Sequence, residues 1–169
     1  MLSKKIESAL NDQLTHEFFA SQLYLSMSAY FTHENLSGFA NWTYVQHQEE
    51  ITHGIKFFKY INDKGGRVIL KKIETPKSIW NSPVDVFKDV LAHEQKVTGL
   101  INKLVAIAKS EKDYATENML QWFITEQVEE EANASNLLHK MKLIKNSNSG
   151  LLFLDNELSK RKFSEEATN

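Results

Sequence analysis

Apolar residues recur every three or four positions along most of the chain, the spacing of a helix face that packs against a core. The pattern predicts five helices, over about residues 4–33, 36–64, 83–110, 114–145 and 149–159. The chain has only six glycines and two prolines to interrupt helices, and both prolines lie between residues 75 and 83. We therefore expect an all-α protein with one irregular connection.

Residues suited to helix ends agree with these bounds. Asn35 is placed to cap the second helix, and Asp113 is placed to cap the fourth. Before the third helix, Ser82, Pro83 and Asp85 form the pattern of an N-cap, a proline at the first helical position and a capping-box acid. The third helix has the strongest start signal in the chain.

The lengths of the connections predict the topology. Short links after the first and third helices make each of these helices antiparallel to the next one. A long helix spans roughly 40 Å, and the connection over residues 65–82 is long enough to cross that distance. We expect a four-helix bundle with one long crossover between helices two and three, plus a short fifth helix. Within the crossover, RVIL at 67–70 is β-prone and could pair with another subunit.

Charged and amide residues interrupt the apolar face of every long helix. On the first helix, Glu17 falls within an apolar face that consists of Ile6, Leu10, Leu14, Tyr24 and Leu25. The interrupting residues on the other three helices are Glu50, His53, Glu94, Gln127 and Glu130. A single residue of this kind is usually exposed to solvent, or buried with its hydrogen bonds made by neighbouring groups. Their occurrence on all four faces favours a shared buried site.

The four glutamates are expected to meet at one level of the bundle. Glu17 and Glu50 each lie near the middle of their helices, and so do Glu94 and Glu130. No lysine or arginine lies on these faces, so the carboxylates would repel one another in a low-dielectric interior. Protons or metal ions must therefore compensate the charge. Four negative charges match two divalent cations.

The types of donor atom favour iron or manganese. One histidine with several oxygen donors suits iron or manganese better than copper. Glu50 and His53 are three residues apart on one helix face and can chelate one ion while Glu50 bridges to a second. Carboxylate-bridged bundles take a Glu from each of two helices and Glu-x-x-His from the others. Here the fourth helix departs from that pattern and has Gln127 and Glu130.

Composition excludes several other classes of protein. With 169 residues, the chain is the size of one domain, over residues 1–169. Its net charge is -2 and it has no basic stripe, so we expect no nucleic-acid partner. The absence of cysteine excludes disulfides and thiolate metal sites. No segment resembles a signal peptide or a membrane span, so we expect a cytoplasmic protein without a membrane partner.

Four long motifs carry a family resemblance: THEFFASQLYLSMSAYF at 15–31, QEEITHGIKFFKYINDKGG at 48–66, LAHEQKVT at 91–98 and FITEQVEEE at 123–131. In this order and spacing, they resemble the bacterial non-haem ferritins over nearly the whole chain. The resemblance implies a ferritin-like bundle and intracellular iron storage. It also implies ferroxidase activity, in which O2 or peroxide oxidises Fe(II) and ferric mineral collects inside a homo-oligomeric shell of 24 subunits.

The resemblance assigns residues to a diiron centre. By its pattern, Glu17, Glu50 and His53 would hold the first iron. Glu50 would bridge to a second iron held with Glu94 and Glu130, and Gln127 would be a weak or supporting ligand. The family tyrosine beside the metals corresponds to Tyr24, which could bond a ligand or donate an electron. A plain core tyrosine would explain the position of Tyr24 equally well.

A third iron site neighbours the pair in this family. Its residues correspond here to Glu49, Glu126, Glu129 and Glu130. A solvated acidic edge is the alternative explanation of Glu49, Glu126 and Glu129, because exposed glutamates are common.

Haem binding is not expected, because the haem-binding relatives have Glu-x-x-His on the fourth helix and a methionine beside the bridging Glu. This sequence has Gln127, Glu130 and Ile51 at those positions. Rubrerythrins are excluded by the absence of cysteine. A diiron oxidase acting on an organic substrate and a purely structural bundle remain as alternatives.

Two apolar segments suggest assembly. A second stripe on helix two, formed by Ala40, Ile51, Ile55 and Phe58, need not be buried in an isolated bundle. LLFL at 151–154 in the fifth helix could form another interface or dock on its own bundle. The mixed-charge end, KRKFSEEATN at 160–169, is typical of a frayed terminus.

Overall fold

The computed structural model describes residues 2–145 and 147–164. Within them the chain forms five helices and no strand: α1 (Lys4–His33), α2 (Ser37–Asp63), α3 (Pro83–Ser110), α4 (Tyr114–Leu143) and α5 (Asn148–Leu158). The largest difference from the predicted bounds is at the end of α4, which stops at Leu143 instead of residue 145. The all-α fold with a short last helix is confirmed.

Side-chain caps begin three of the long helices. Ser3, Ser82 and Asp113 each accept a hydrogen bond from the backbone N–H three residues later, which satisfies a donor that the helix leaves free. The prediction that Asn35 caps α2 is wrong. Asn35 takes a positive φ of 58° in the turn after α1, a conformation that asparagine tolerates better than most residues.

The N-terminus of α2 is capped by another helix. Asp155 of α5 accepts hydrogen bonds through Oδ1 from the backbone N–H groups of Gly38, at 2.8 Å, and Phe39, at 3.0 Å. The two helices approach so closely that a Cβ on Gly38 would lie 1.6 Å from the backbone carbonyl oxygen of Asp155. The fifth helix therefore docks on its own bundle, with Leu154 buried at the contact.

The connection between α2 and α3 runs along α1 from one end of the bundle to the other. Near its start, Asn11 Nδ2 donates to the carbonyl of Arg67 at 3.0 Å, and Asn11 Oδ1 accepts from the N–H of Ile69 at 2.7 Å. Further along, Ser26 Oγ donates to the carbonyl of Lys77 at 2.8 Å. Ser26 lies about 22 Å beyond Asn11 along the helix. The predicted crossover is thus present, and α2 and α3 run in the same direction.

The β-prone segment RVIL does not form a strand. Asn11 instead bonds the carbonyl of Arg67 and the N–H of Ile69. One buried amide side chain therefore anchors the crossover to α1.

The core consists of two hydrophobic clusters with a polar layer between them. One cluster contains Leu10, Leu14, Phe57 and Phe123, and the other contains Met27, Phe39, Phe87 and Leu137. The residues between them along the four long helices are Glu17, Glu50, Glu94, Gln127 and Glu130, all of them buried. The bundle packing thus encloses the predicted polar layer from both sides.

Several apolar residues remain on the outside. Ile51, Ile55 and Phe58 are each about two-fifths exposed on α2, whereas Ala40 is buried. Leu25 was predicted to be in the core but is 42% exposed, because its position next to buried Tyr24 lies at the edge of the apolar face of α1. None of the described helices is both long enough and apolar enough to cross a membrane.

Candidate metal centre

Glu17 on α1 faces Glu50 and His53 on the antiparallel helix α2. All three side chains are buried, and His53 Nδ1 lies 3.3 Å from Glu50 Oε2. One possible ligand atom from each residue lies within 4.8 Å of the other two. A single metal ion could therefore be reached by two carboxylates and an imidazole, as the spacing predicted.

The imidazole of His53 is held by aromatic packing. Its ring meets Trp122 at a centroid distance of 5.4 Å and Phe123 at 6.1 Å, both edge-on. Its Nε2 is buried and forms no hydrogen bond, and Glu126 Oε1 lies 4.0 Å from it. A buried ring nitrogen that has neither a hydrogen-bond partner nor a bound metal ion is energetically unfavourable.

Glu94 on α3 is held by residues from two other helices. Its Oε1 accepts a hydrogen bond from the hydroxyl of Tyr24 on α1. Gln127 Nε2 on α4 lies 3.3 Å from Glu94 Oε2 and 3.2 Å from the Glu94 carbonyl oxygen. Gln127 thus orients Glu94 in this structure.

Glu130 on α4 completes the layer. Its Oε2 accepts a hydrogen bond of 3.0 Å from Gln46 Nε2 on α2. The other amide atom, Gln46 Oε1, is buried without a partner. Burial raises the pKa of Glu50 and of Glu130, the nearby charge of Glu94 raises both further, and the charge of Glu50 adds to the rise at Glu130.

Burial is the main cause of the shifted pKa values in this layer. It raises the pKa of Glu94 and raises the pKa values of Glu50 and Glu130 well above the usual range, because a charged carboxylate loses its hydration. Burial and the nearby charge of Glu50 raise the pKa of Glu17 to about 8. The hydrogen bond between these two favours a protonated Glu17 and an ionised Glu50.

Within the described part of the chain, no lysine or arginine forms an ion pair with Glu17, Glu50, Glu94 or Glu130. The layer is therefore a buried acidic cluster with no cationic side chain of the described residues paired to its four carboxyl groups. Bound cations would stabilise the ionised carboxylates and replace bound protons.

The three acids assigned to an outer site differ in their surroundings. Glu49 and Glu126 are partly buried next to the layer, and desolvation raises the pKa of each. Glu129 is exposed, although it lies near enough to both for its charge to act on them. Glu49 is not free, because Arg161 Nη2 lies 2.6 Å from its Oε2. The sequence had suggested no basic partner for these acids.

Sequence reasoning missed three residues that contact the candidate ligands. Gln13 Nε2 donates to Glu17 Oε1 at 2.8 Å, and Gln46 and Arg161 hold Glu130 and Glu49. Gln13 and Gln46 could have been found, because each lies four residues before a candidate glutamate on the same helix face. Arg161 carried no such signal.

A cavity of about 370 Å³ opens beside the layer, between α3 and α4. Gln127, Thr98 and Glu131 form its polar wall, and the remaining lining residues are Ile101, Asn102, Ile124 and Val128. Since Gln127 also contacts Glu94, the cavity reaches the edge of the candidate centre.

Comparison with known proteins agrees with this architecture. The ferritin-like domain family matches residues 7–144. The bacterial non-heme ferritin of Bacteroides fragilis strain 638R is 42% identical over 161 residues, which cover 95% of this chain and all of that protein. The bacterial non-heme ferritin of Staphylococcus aureus strain MRSA252 is 42% identical over 166 residues, covering 98% of this chain and all of that protein.

A solved structure gives the same result for the fold. An Archaeoglobus fulgidus ferritin, engineered into a closed form by site-directed mutagenesis, superposes with a TM-score of 0.96 at 48% identity, over 97% of this chain and all of that one. A family match over most of the chain and relatives of this similarity establish membership. The chain belongs to the ferritin family, whose members store iron.

Proposed function

We propose that this protein oxidises Fe(II) at a diiron ferroxidase centre and stores the resulting Fe(III). Glu17, Glu50 and His53 bind one Fe(II), and Glu50, Glu94 and Glu130 bind the other, with Gln127 as a supporting residue. The observation that carries the proposal is the buried layer in which four glutamates and an unpaired His53 nitrogen face one another without a cationic side chain.

Charge explains why this layer would bind iron. When all four glutamates ionise, their charge matches two Fe(II) ions, so binding removes the repulsion that burial intensifies. Glu17 holds a proton in the absence of metal, because its pKa is about 8. Iron binding would release that proton to solvent. Oxidation then takes one electron from each Fe(II), and O2 or peroxide accepts the pair.

Tyr24 has a supporting role in this proposal. Its hydroxyl donates to Glu94 Oε1 and orients that carboxylate toward the second iron. Desolvation and the nearby acids raise the pKa of Tyr24 well above its usual range, so the phenol keeps its proton as a hydrogen-bond donor. Electron donation by Tyr24 is the alternative role.

An outer site would hold a third iron on its way to storage. Glu49, Glu126, Glu129 and Glu130 are its proposed ligands. Glu126 Oε1 lies 4.0 Å from His53 Nε2, which places this acid at the border between the inner layer and solvent. Iron that leaves the inner pair would meet Glu126 and Glu130 first.

We further propose that the chain acts as a single domain in a cytoplasmic homo-oligomer, a hollow shell of 24 subunits. Ile51, Ile55 and Phe58 support assembly, because they form one exposed apolar face along α2. Leu152 and Phe153 of α5 are also exposed, at 63% and 69%, and would supply a second contact.

A diiron oxidase that acts on an organic substrate is the second candidate. The cavity of about 370 Å³ beside Gln127 favours it, because such an enzyme needs space for a substrate next to its metals. The lining of that cavity includes Glu131, Thr98 and Asn102, which suits an ion path as well.

Loading the protein with Fe(II) in air and then measuring particle size and iron content separates these functions. A large particle that retains many irons per subunit is the result expected for storage. About two irons per subunit on a small particle would favour the oxidase. A protein that binds no iron would overturn both proposals and leave a structural bundle.

A further inference from the structure

The segment that follows α5 is held against α2. Asn41 Nδ2 donates to the backbone carbonyls of Leu158, at 3.1 Å, and Arg161, at 3.0 Å. Asp155, within α5, fixes the helix that precedes this segment by capping α2. The chain after α5 is therefore held against α2 as far as Arg161, and residues 165–169 of the predicted frayed end lie outside the described part of the chain.

This docking places the Arg161 side chain beside the outer acids. Its guanidinium carbon lies 4.8 Å from the centre of the Trp42 ring, so the cation stacks on an aromatic face. Its Nη2 reaches Glu49 Oε2 at 2.6 Å, while only 24% of the Arg161 side chain and 16% of the Glu49 side chain are exposed. A short charge-assisted hydrogen bond with this little exposure is stronger than an ordinary surface ion pair.

The same contact places a cation where acids otherwise predominate. Glu49 is adjacent to Glu50 in the chain, and the charges of Glu126 and Glu129 also act in this region. Arg161 compensates one of these charges with a side chain of the protein itself. A metal ion that approaches Glu49 Oε2 competes with the guanidinium for that oxygen and is repelled by its positive charge.

We propose that Arg161 is a positioning residue that competes with iron for Glu49 and so weakens binding of the third iron. This inference rests on the proposed ferroxidase function. Weak outer binding lets iron from the inner pair move on to storage instead of remaining as a stable third ion. The C-terminal segment thereby sets the affinity of the outer site, while the inner layer, which Arg161 does not contact, keeps its own.

Anaerobic calorimetric titration with Fe(II) tests the proposal without any turnover. The wild type is expected to bind two Fe(II) per subunit tightly and a third one more weakly. In Arg161→Gln, the third affinity is expected to rise about tenfold to a hundredfold, the range for loss of one competing charge-assisted contact. The first two affinities are expected to stay within about twofold.

Lys162→Gln is the matched control, because it removes the same charge from an exposed neighbouring residue. Glu49→Gln tests whether Arg161 acts on the third affinity through Glu49. It weakens the third site, and in that background Arg161→Gln is expected to have no further effect on the third affinity. If loss of any nearby positive charge raised the third affinity, Lys162→Gln would raise it too. If Arg161→Gln acted by changing the structure in general, it would still change the third affinity in the Glu49→Gln background.

The wild-type protein provides an independent measurement that needs no variant. Displacement of Arg161 by the third Fe(II) frees the turn in which the Arg161 N–H donates to the Leu158 carbonyl. Hydrogen exchange at residues 159–162 is therefore expected to accelerate on the third equivalent of Fe(II) and not on the first two.

Four results would overturn the role of Arg161: an unchanged third affinity in Arg161→Gln, an equal rise in Lys162→Gln, a rise that persists in the Glu49→Gln background, or hydrogen exchange that does not change at the third equivalent of Fe(II). If Arg161→Gln fails to fold, the hydrogen-exchange measurement on the wild type tests the role of Arg161 by itself. A wild type that binds no pair of Fe(II) ions would instead refute the proposed function itself. The two failures are thus distinguishable.

Discussion

The hydroxyl of Tyr24 on α1 donates a hydrogen bond to Glu94 Oε1 on α3, across the buried layer that separates the two halves of the core. This bond joins helices from the two hairpins of the bundle at the level of the candidate ligands. Glu94 is thereby oriented before any metal binds, since Gln127 contacts its other oxygen.

Replacement of Tyr24 with phenylalanine is expected to slow Fe(II) oxidation by about 10- to 100-fold, the usual effect of losing a group that orients a metal ligand. Stopped-flow absorbance of the oxidised product measures the rate. Tyr30→Phe is the control, because Tyr30 is half-buried against Trp80, away from the layer. A Tyr24→Phe protein as fast as the parent would leave Tyr24 as a core residue without a role in the reaction.

The double variant Glu50→Ala, His53→Ala removes two ligands of the proposed first iron and the bridge to the second. We expect aerobic Fe(II) oxidation to fall to the uncatalysed rate, while the helices remain folded. The pair His33→Ala, Glu34→Ala is the control, because it deletes the same residue types at exposed positions. Oxidation at the parental rate in the first double variant would disprove the diiron assignment.

The stability of the metal-free protein is expected to depend on pH through Glu17. Its pKa is about 8 when folded and 4.5 in the reference state, so between these values only the folded state keeps the proton. The free energy of unfolding therefore falls as pH rises through this range, by up to about 1.4 kcal/mol per pH unit for one group.

The clearest window for this effect is pH 6.5 to 8. Burial lowers the pKa of His93 to about 4 and also lowers the pKa of His16, so these histidines oppose the trend only below their reference value of 6.5. Denaturant unfolding across the window should show a smaller slope in Glu17→Gln. Glu34→Gln, at an exposed position, should keep the parental slope, and an equal slope in all three proteins would contradict the assignment.

Metal binding is expected to stabilise the protein and release protons. Divalent cations favour the ionised glutamates, so anaerobic Fe(II) should raise the melting temperature and remove the fall in stability above pH 6.5. Calorimetry in two buffers of different ionisation enthalpy measures the number of protons released. If Fe(II) neither raised the melting temperature nor released protons, an iron site in this layer would be ruled out.

Assembly is expected to depend on the exposed apolar face of α2. Phe58→Glu places a charge within that face and should yield particles smaller than the parent by size-exclusion chromatography with light scattering. Lys59→Gln makes the same change in net charge at the neighbouring exposed residue and should leave the size unchanged. If Phe58→Glu also assembled fully, this face would not be a subunit interface.

Local patterns were sufficient to predict the helices and the polar layer. The 3.6-residue period identified Glu17, Glu50, His53, Glu94, Gln127 and Glu130 as interruptions of apolar faces, and each of them is buried. The same period misplaced Leu25, since a helical wheel does not tell how wide a face the neighbouring helices will cover. Ser82 and Asp113 cap their helices as predicted, whereas Asn35 does not cap α2.

By itself, the sequence determined the all-α bundle, its crossover and a set of acids at one depth, because these follow from periodicity, connection length and local capping. Only the tertiary structure decided the contacts between residues far apart in the chain. Asp155 caps α2, Gln46 holds Glu130, and Arg161 pairs with Glu49. These contacts depend on where separate helices dock and on the side-chain directions that packing imposes. The periodicity of hydrophobic residues within one helix carries no information about these contacts.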